Sequence, residues 1–140
     1  FSNGAFVNAL QLSPMRCKTF GPLQIVIRYS PTSTTKQVSF GLLFENDRGN
    51  PIFYVNTVYQ GVRGDLARSS EVSCEIERLP LLPGEYYISC FVSENRKRVY
   101  TGDRIAECIV AGSDIFGTAK IPNGRRGCIA VNAKWRTTSL

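Results

Sequence analysis

The chain has 140 residues, 43% hydrophobic and 20% charged, with 17 Lys and Arg against 11 Asp and Glu and a formal net charge of +6. That is the size of one domain, which buries roughly two-thirds of its unfolded surface and can hold a core without metals or crosslinks. No run approaches the ~18 apolar residues of a membrane-spanning helix. The absence of any histidine removes the commonest general base, the commonest metal ligand and every His-activated nucleophile.

The opening residues Phe1-Ser2-Asn3-Gly4 have no initiator Met, basic region or apolar run, so they do not read as a signal peptide and are expected to begin a piece of a longer protein. Turn signals then recur along the chain at Gly21-Pro22, Ser30-Pro31, Asn46-Asp47 to Asn50-Pro51, Gly61 to Gly64, Pro83-Gly84, Gly102-Asp103, Gly112-Ser113 and Pro122-Asn123-Gly124. Between them lie short Val-, Ile-, Phe- and Tyr-rich segments, predicted as strands at 5–12, 23–29, 37–45, 52–57, 71–78, 85–94, 104–111 and 127–135. Alternation is clearest at Leu23, Ile25, Ile27 and Tyr29 and again at Val38, Phe40, Leu42 and Phe44. The piece Gly64-Asp65-Leu66-Ala67-Arg68 is the one stretch compatible with a helix, and it is short. The reading is a single all-β unit over residues 1–140, an immunoglobulin-like or jelly-roll-like antiparallel sandwich of about eight strands.

The most specific stretch is Leu79-Pro80-Leu81-Leu82-Pro83-Gly84-Glu85-Tyr86-Tyr87-Ile88-Ser89-Cys90. Its Leu-x-Pro-Gly-x-Tyr lead-in is similar to the tyrosine corner of immunoglobulin-like folds, where a Tyr hydroxyl caps nearby backbone. This predicts Tyr86, Ile88, Cys90 and Val92 inside, with Tyr87, Ser89, Phe91 and Ser93 outside. Two large aromatics on an outward face mark either a binding surface or a patch covered by a loop or a partner.

Five cysteines, Cys17, Cys74, Cys90, Cys108 and Cys128, are odd in number and lack zinc spacing, so no metal site is expected. They favour a reducing compartment, with thiols as small core residues. The alternative is an extracellular immunoglobulin domain with a Cys17–Cys90 bridge. The basic clusters Arg96-Lys97-Arg98 and Arg125-Arg126 sit in predicted turns, where solvated loop charge is the simplest account; nucleic acid is the weaker alternative, since aromatic RNA-binding signatures are missing. No nucleotide-binding glycine loop occurs, and no cofactor is expected. A carboxylate pair such as Glu94 with Asp103 or Glu107 is the remaining enzyme reading, a minor one because acidic residues are common on strand surfaces.

In its order of elements the chain resembles the C-terminal domain of Wzt-type subunits, the nucleotide-binding components of bacterial O-antigen polysaccharide ABC exporters. The resemblance rests on Phe20-Gly21-Pro22-Leu23 through Tyr29, Val38 to Phe44 followed by Asp47-Arg48-Gly49-Asn50-Pro51-Ile52-Phe53, Asn56-Thr57, the Leu81 to Tyr86 turn, and Gly127-Cys128-Ile129-Ala130-Val131 ending at Trp135. It implies a non-catalytic, cytoplasmic carbohydrate-binding domain that follows an ATPase domain, at the inner face of the inner membrane. It further implies recognition of a finished, lipid-linked O-antigen glycan, often by its terminal modification, and action with a membrane transport subunit in lipopolysaccharide biosynthesis. A homodimer with an exchanged last strand is also implied.

No binding residue transfers from the resemblance, so the site is expected on the outer face carrying Tyr87, Ser89 and Phe91, with Glu107 beside it by alternation. Tyr54 and Asn56 share one face of their strand and extend the site if Phe53 and Val55 point inward. Arg98 and Tyr100 are expected to border it, the arginine meeting an acidic or phosphorylated sugar. Trp135 reads as a packing anchor near the exchangeable last strand, the alternative being that it belongs to the surface. The reading from a different class is a structural or protein-interaction sandwich without glycan binding.

Overall fold

The computed structural model describes residues 6–32, 35–62 and 65–138; the opening residues 1–4, Ala5 of the first expected strand and Gly64 of the helix-compatible piece lie outside these. Eight strands form among the described residues: β1 (Val7–Ser13), β2 (Arg16–Lys18), β3 (Leu23–Tyr29), β4 (Val38–Asn46), β5 (Pro51–Asn56), β6 (Glu71–Ile76), β7 (Gly84–Glu94) and β8 (Lys97–Ala111). The helix-compatible piece reduces to one 3-10 turn, Leu66–Arg68. No helix among the described residues is long and apolar enough to cross a membrane.

Two sheets pack face to face, one ordered β1-β3-β6 and the other β2-β8-β7-β4-β5. The pairings are antiparallel except β2 against β8. The chain changes sheet between Ser13, paired with Gln24, and Arg16, paired with Ile109. This is an immunoglobulin-like sandwich. Period-two alternation supplies its core: Leu23, Ile25, Ile27 and Tyr29 from one sheet meet Phe40, Leu42, Phe44, Tyr86, Ile88, Cys90 and Val92 from the other, all buried. Each such aliphatic side chain contributes about 1.5–3 kcal/mol on burial. The outward row of β3, Gln24, Val26 and Arg28, carries the exposed Arg28–Glu71 pair at 3.1 Å, worth roughly 0.2–1 kcal/mol.

The segment before β7 joins the ends of the sandwich. Leu79 and Leu81 are fully buried. The Leu79 carbonyl accepts from the Phe20 amide, its own N–H donates to Gly21, and the amides of Leu82 and Ala130 donate to Cys128 and Pro80. Immediately downstream, the Tyr86 hydroxyl donates to the Leu82 carbonyl at 2.6 Å, the corner expected from Pro83-Gly84-Glu85-Tyr86. Burial pushes that phenol well above its usual range.

Three expectations are corrected here. The strand expected at 127–135 shrinks to a bridge between Leu81 and Ile129, and residues 131–138 pair with no strand among the described residues. Trp135 is consequently not an anchor within the chain: it is 92% exposed. The turn expected at Gly102-Asp103 is a bulge inside one fifteen-residue strand, β8.

The cysteines are all free, with Cys17, Cys90 and Cys108 in the core. The neighbour of Cys17 is Cys108, Sγ to Sγ 3.6 Å, and not Cys90, because β2 lies on β8 while Cys90 is one strand further in on β7. Burial raises the Cys90 thiol to about 12.

The corner gives a direct test. Tyr86→Phe removes the donor to a buried carbonyl, so urea unfolding should show a loss of about 1–3 kcal/mol, with the β-sheet circular dichroism of the native protein retained.

Candidate functional site

The outer face of β5-β4-β7-β8 follows from strand parity. Gly41 pairs with Asn56 on one side and Phe91 on the other; Leu43 pairs with Tyr54 and Ser89; Glu45 and Glu107 flank Tyr87. On β5, Phe53 stacks on the buried Phe44 with ring centroids 4.3 Å apart and Val55 is packed against the core. The open orientation of that strand is thereby decided: Tyr54 and Asn56 face outward, in the same plane as Tyr87, Phe91 and Glu107.

Gly41 is required for this surface. A Cβ there would overlap the hydroxyl end of the Tyr54 ring, so the missing side chain lets the ring lie across β4. Tyr59 meets Tyr54 edge to face at 6.4 Å. Its backbone N–H donates to Asn56 Oδ1 at 2.6 Å, which fixes the turn that presents it. Tyr54 is 42% exposed and Tyr59 81%. Such an exposed aromatic pair on a folded surface is a feature of interaction sites. Tyr59 was absent from the sequence expectation because it lies beyond the strand, where alternation says nothing; its aromatic type within a turn was the available signal.

The rings of Tyr87 and Phe91 face outward as expected, yet neither is bare. The Arg104 guanidinium lies 4.1 Å from the Tyr87 centroid and Arg98 lies 4.5 Å from the Phe91 centroid. Neither arginine forms an ion pair among the described residues. Stacking on a ring leaves the planar N–H fork of a guanidinium directed sideways and outward, ready for an acceptor. What these positions offer a ligand is therefore an arginine held on an aromatic base.

Ser89 is corrected. Its parity is outward, but it is 1% exposed. Between the pairs Ile88–Ala106 and Cys90–Gly102, β7 contributes one residue and β8 three. The Ser89 hydroxyl fills the resulting gap, accepting from the Arg104 N–H at 2.8 Å and donating to Glu45 Oε1 at 3.1 Å, with Asp103 Oδ1 at 3.4 Å. It supports the surface from beneath. Arg104 takes φ of 50° at this bulge, which turns its side chain back over Tyr87.

Tyr100 is corrected as well. It pairs with the inward Val92, packs against the core, and lies where a Cβ on Gly102 would strike it. Burial raises its phenol. An extra residue at Val99 shifts the register between Val92 and Ser93, so Arg98 and Tyr100, two apart, fall on opposite faces. No cluster of three or more metal-ligating side chains occurs among the described residues.

Fold and surface together define an immunoglobulin-like β-sandwich domain with an aromatic and cationic outer face. The family model for the Wzt C-terminal domain matches residues 12–110, and the chain belongs to that family. A crystal structure of the C-terminal domain of Wzt is similar over 99% of this chain and 87% of that one, with a TM-score of 0.69 and 12% identity. No curated protein matches the chain.

Gly41→Ala tests the surface geometry. The displaced atom is the far end of the Tyr54 side chain, so the chain should fold while the ring signals of Tyr54 and Tyr59 shift in NMR spectra and those of the core Tyr29 and Tyr86 stay in place.

Proposed function

We propose that this chain is a non-catalytic carbohydrate-binding domain that recognises an O-antigen polysaccharide, by its terminal modification, for export by an ABC transporter. Membership of the Wzt C-terminal domain family supports this reading. The observation that carries it is the outer face of the five-stranded sheet. Tyr54 and Tyr59 expose apolar ring surface for pyranose C–H groups. Asn56, Thr101 and Glu107 stand on the same face to meet hydroxyls, as do Arg98 and Arg104. A shallow, polar, partly hydrated surface suits a ligand that keeps most of its water.

In this reading residues 1–140 form one unit that follows an ATPase domain, at the cytoplasmic face of the inner membrane, and act with a membrane transport subunit. The partner of the described C-terminal segment is a second copy of the chain. Residues 131–138 are unpaired, and Val131 and Trp135 are 67% and 92% exposed, which favours a strand completed on another protomer. The protein-interaction reading draws on the same exposed residues and predicts an indifferent response to glycan.

Calorimetric titration with the producing organism's own polysaccharide separates them. Tyr54→Ala and Tyr59→Ala should each weaken binding about tenfold, equivalent to about 1.4 kcal/mol, with the melting temperature retained. A wild-type chain that ignores the polysaccharide is a protein-interaction module. In light-scattering chromatography, removal of residues 131–140 should convert a dimer into a monomer.

A further inference from the structure

The outer face is not electrically uniform. At one end Arg104 is surrounded by acid: Glu45 and Glu107 pair with Tyr87 on either side of the ring it covers, and Asp103 precedes it in the bulge. At the other end Arg98 covers Phe91, whose outward neighbours Gly41 and Thr101 carry no charge. Arg96 and Lys97 adjoin it in the β7–β8 hairpin, and the backbone N–H of Lys36 is tied to that hairpin by Asn95 Oδ1 at 3.2 Å. The hairpin's own acid, Glu94, stands in the row opposite to Ser93 and Arg98.

The cationic end also contains a cavity. A hollow of about 400 Å³ lies between Val58 and Arg96 and is lined further by Gln37, Val38, Ser39 and Ser93, with a mostly apolar wall. Ser39 pairs with Ser93, and Ser93 with Arg98, so the two hydroxyls stand on the same outward face as the guanidinium. Among the described residues neither hydroxyl has a hydrogen-bond partner in the protein. Val58 adjoins the exposed Tyr59. Beside Tyr59, then, the hollow sets two hydroxyls and Arg96 at the edge of an apolar wall of Val38 and Val58, with Arg98 across from Ser93.

We infer that this hollow, with Ser39, Ser93, Arg96 and Arg98, takes an anionic group of the bound glycan, a carboxylate or a phosphate ester. The inference rests on the glycan reading above and deepens it. An oxyanion has the acceptors that match a guanidinium fork and two free hydroxyls. The aromatic base under Arg98 holds the fork in place before the ligand arrives, and Arg98 forms no ion pair among the described residues. The Arg104 end, balanced by three acids, is suited to neutral hydroxyls instead, so the face has a direction along which the glycan is read.

Three forms of the producing organism's polysaccharide test this by calorimetry at low and high salt: native, carboxyl-reduced with carbodiimide and borohydride, and dephosphorylated with aqueous hydrogen fluoride. One treatment, and it identifies the anion, should weaken binding to the wild-type chain tenfold or more and abolish its salt dependence. Arg98→Gln should show the same loss toward native polymer and no further loss toward the treated one, with an unchanged melting temperature. Arg104→Gln should leave the salt dependence in place. If neither treatment nor Arg98→Gln alters binding, the anion site is wrong while glycan recognition stands. If the wild-type chain binds none of the three, the glycan reading falls and this inference with it.

Discussion

The Ser89 hydroxyl holds the outer face in the arrangement that defines it. One residue of β7 stands against three of β8, and the gap this leaves in the ladder would strand a backbone donor. Ser89 accepts from the Arg104 N–H and donates a hydrogen bond to Glu45. The Arg104 N–H is thereby satisfied within the bulge, and Arg104 is turned over the Tyr87 ring. Register along the rest of β8 follows from the same irregularity. Residues 106–110 pair with β7 on one side of it and residues 97, 98 and 100–102 on the other, and the second shift at Val99 sends Arg98 outward and Tyr100 inward.

The two arginine–aromatic stacks change what the sheet offers. Unoccupied rings of Tyr87 and Phe91 would form an apolar floor; covered, they are supports that hold two guanidiniums in place. The apolar contribution moves instead to Tyr54 and Tyr59 across the sheet, made possible by the absent side chain at Gly41. Aromatic surface, cationic forks and hydroxyls are then distributed over four strands of one rigid sheet, with the core beneath preventing their rearrangement. A surface built this way can discriminate ligands by charge as well as by shape.

Similarity to a solved Wzt C-terminal domain at 12% identity is intelligible from how the sandwich is held together. Its stability depends on alternating apolar residues, a few turns and the Tyr86 corner, and many side-chain sets satisfy those requirements at similar volume. The outward rows contribute little to folding and are free to differ with the ligand. Fold therefore argues for the family, while the ligand has to be argued from the outer face of this chain.

Alternation in the sequence was enough to establish the all-β sandwich, the inward rows of β3, β4 and β7, the Tyr86 corner, and the outward parity of Tyr87, Phe91 and Glu107. These are consequences of a period of two and of Pro-Gly turn geometry, both local in the chain. Local pattern was silent wherever residues distant in sequence had to meet. The choice between Phe53 and Tyr54 for the inward side was made by Phe44 across the strand pair. The burial of Ser89 and the opposite facing of Arg98 and Tyr100 came from bulges, which insert residues without any break in the hydrophobic pattern. The strand expected at 127–135 had the composition of a strand but found only Leu81 to pair with, since a strand needs an edge as well as a propensity. Tertiary pairing alone determined which aromatic rings stayed open and which became seats for arginine, because both depend on side chains that arrive from neighbouring strands.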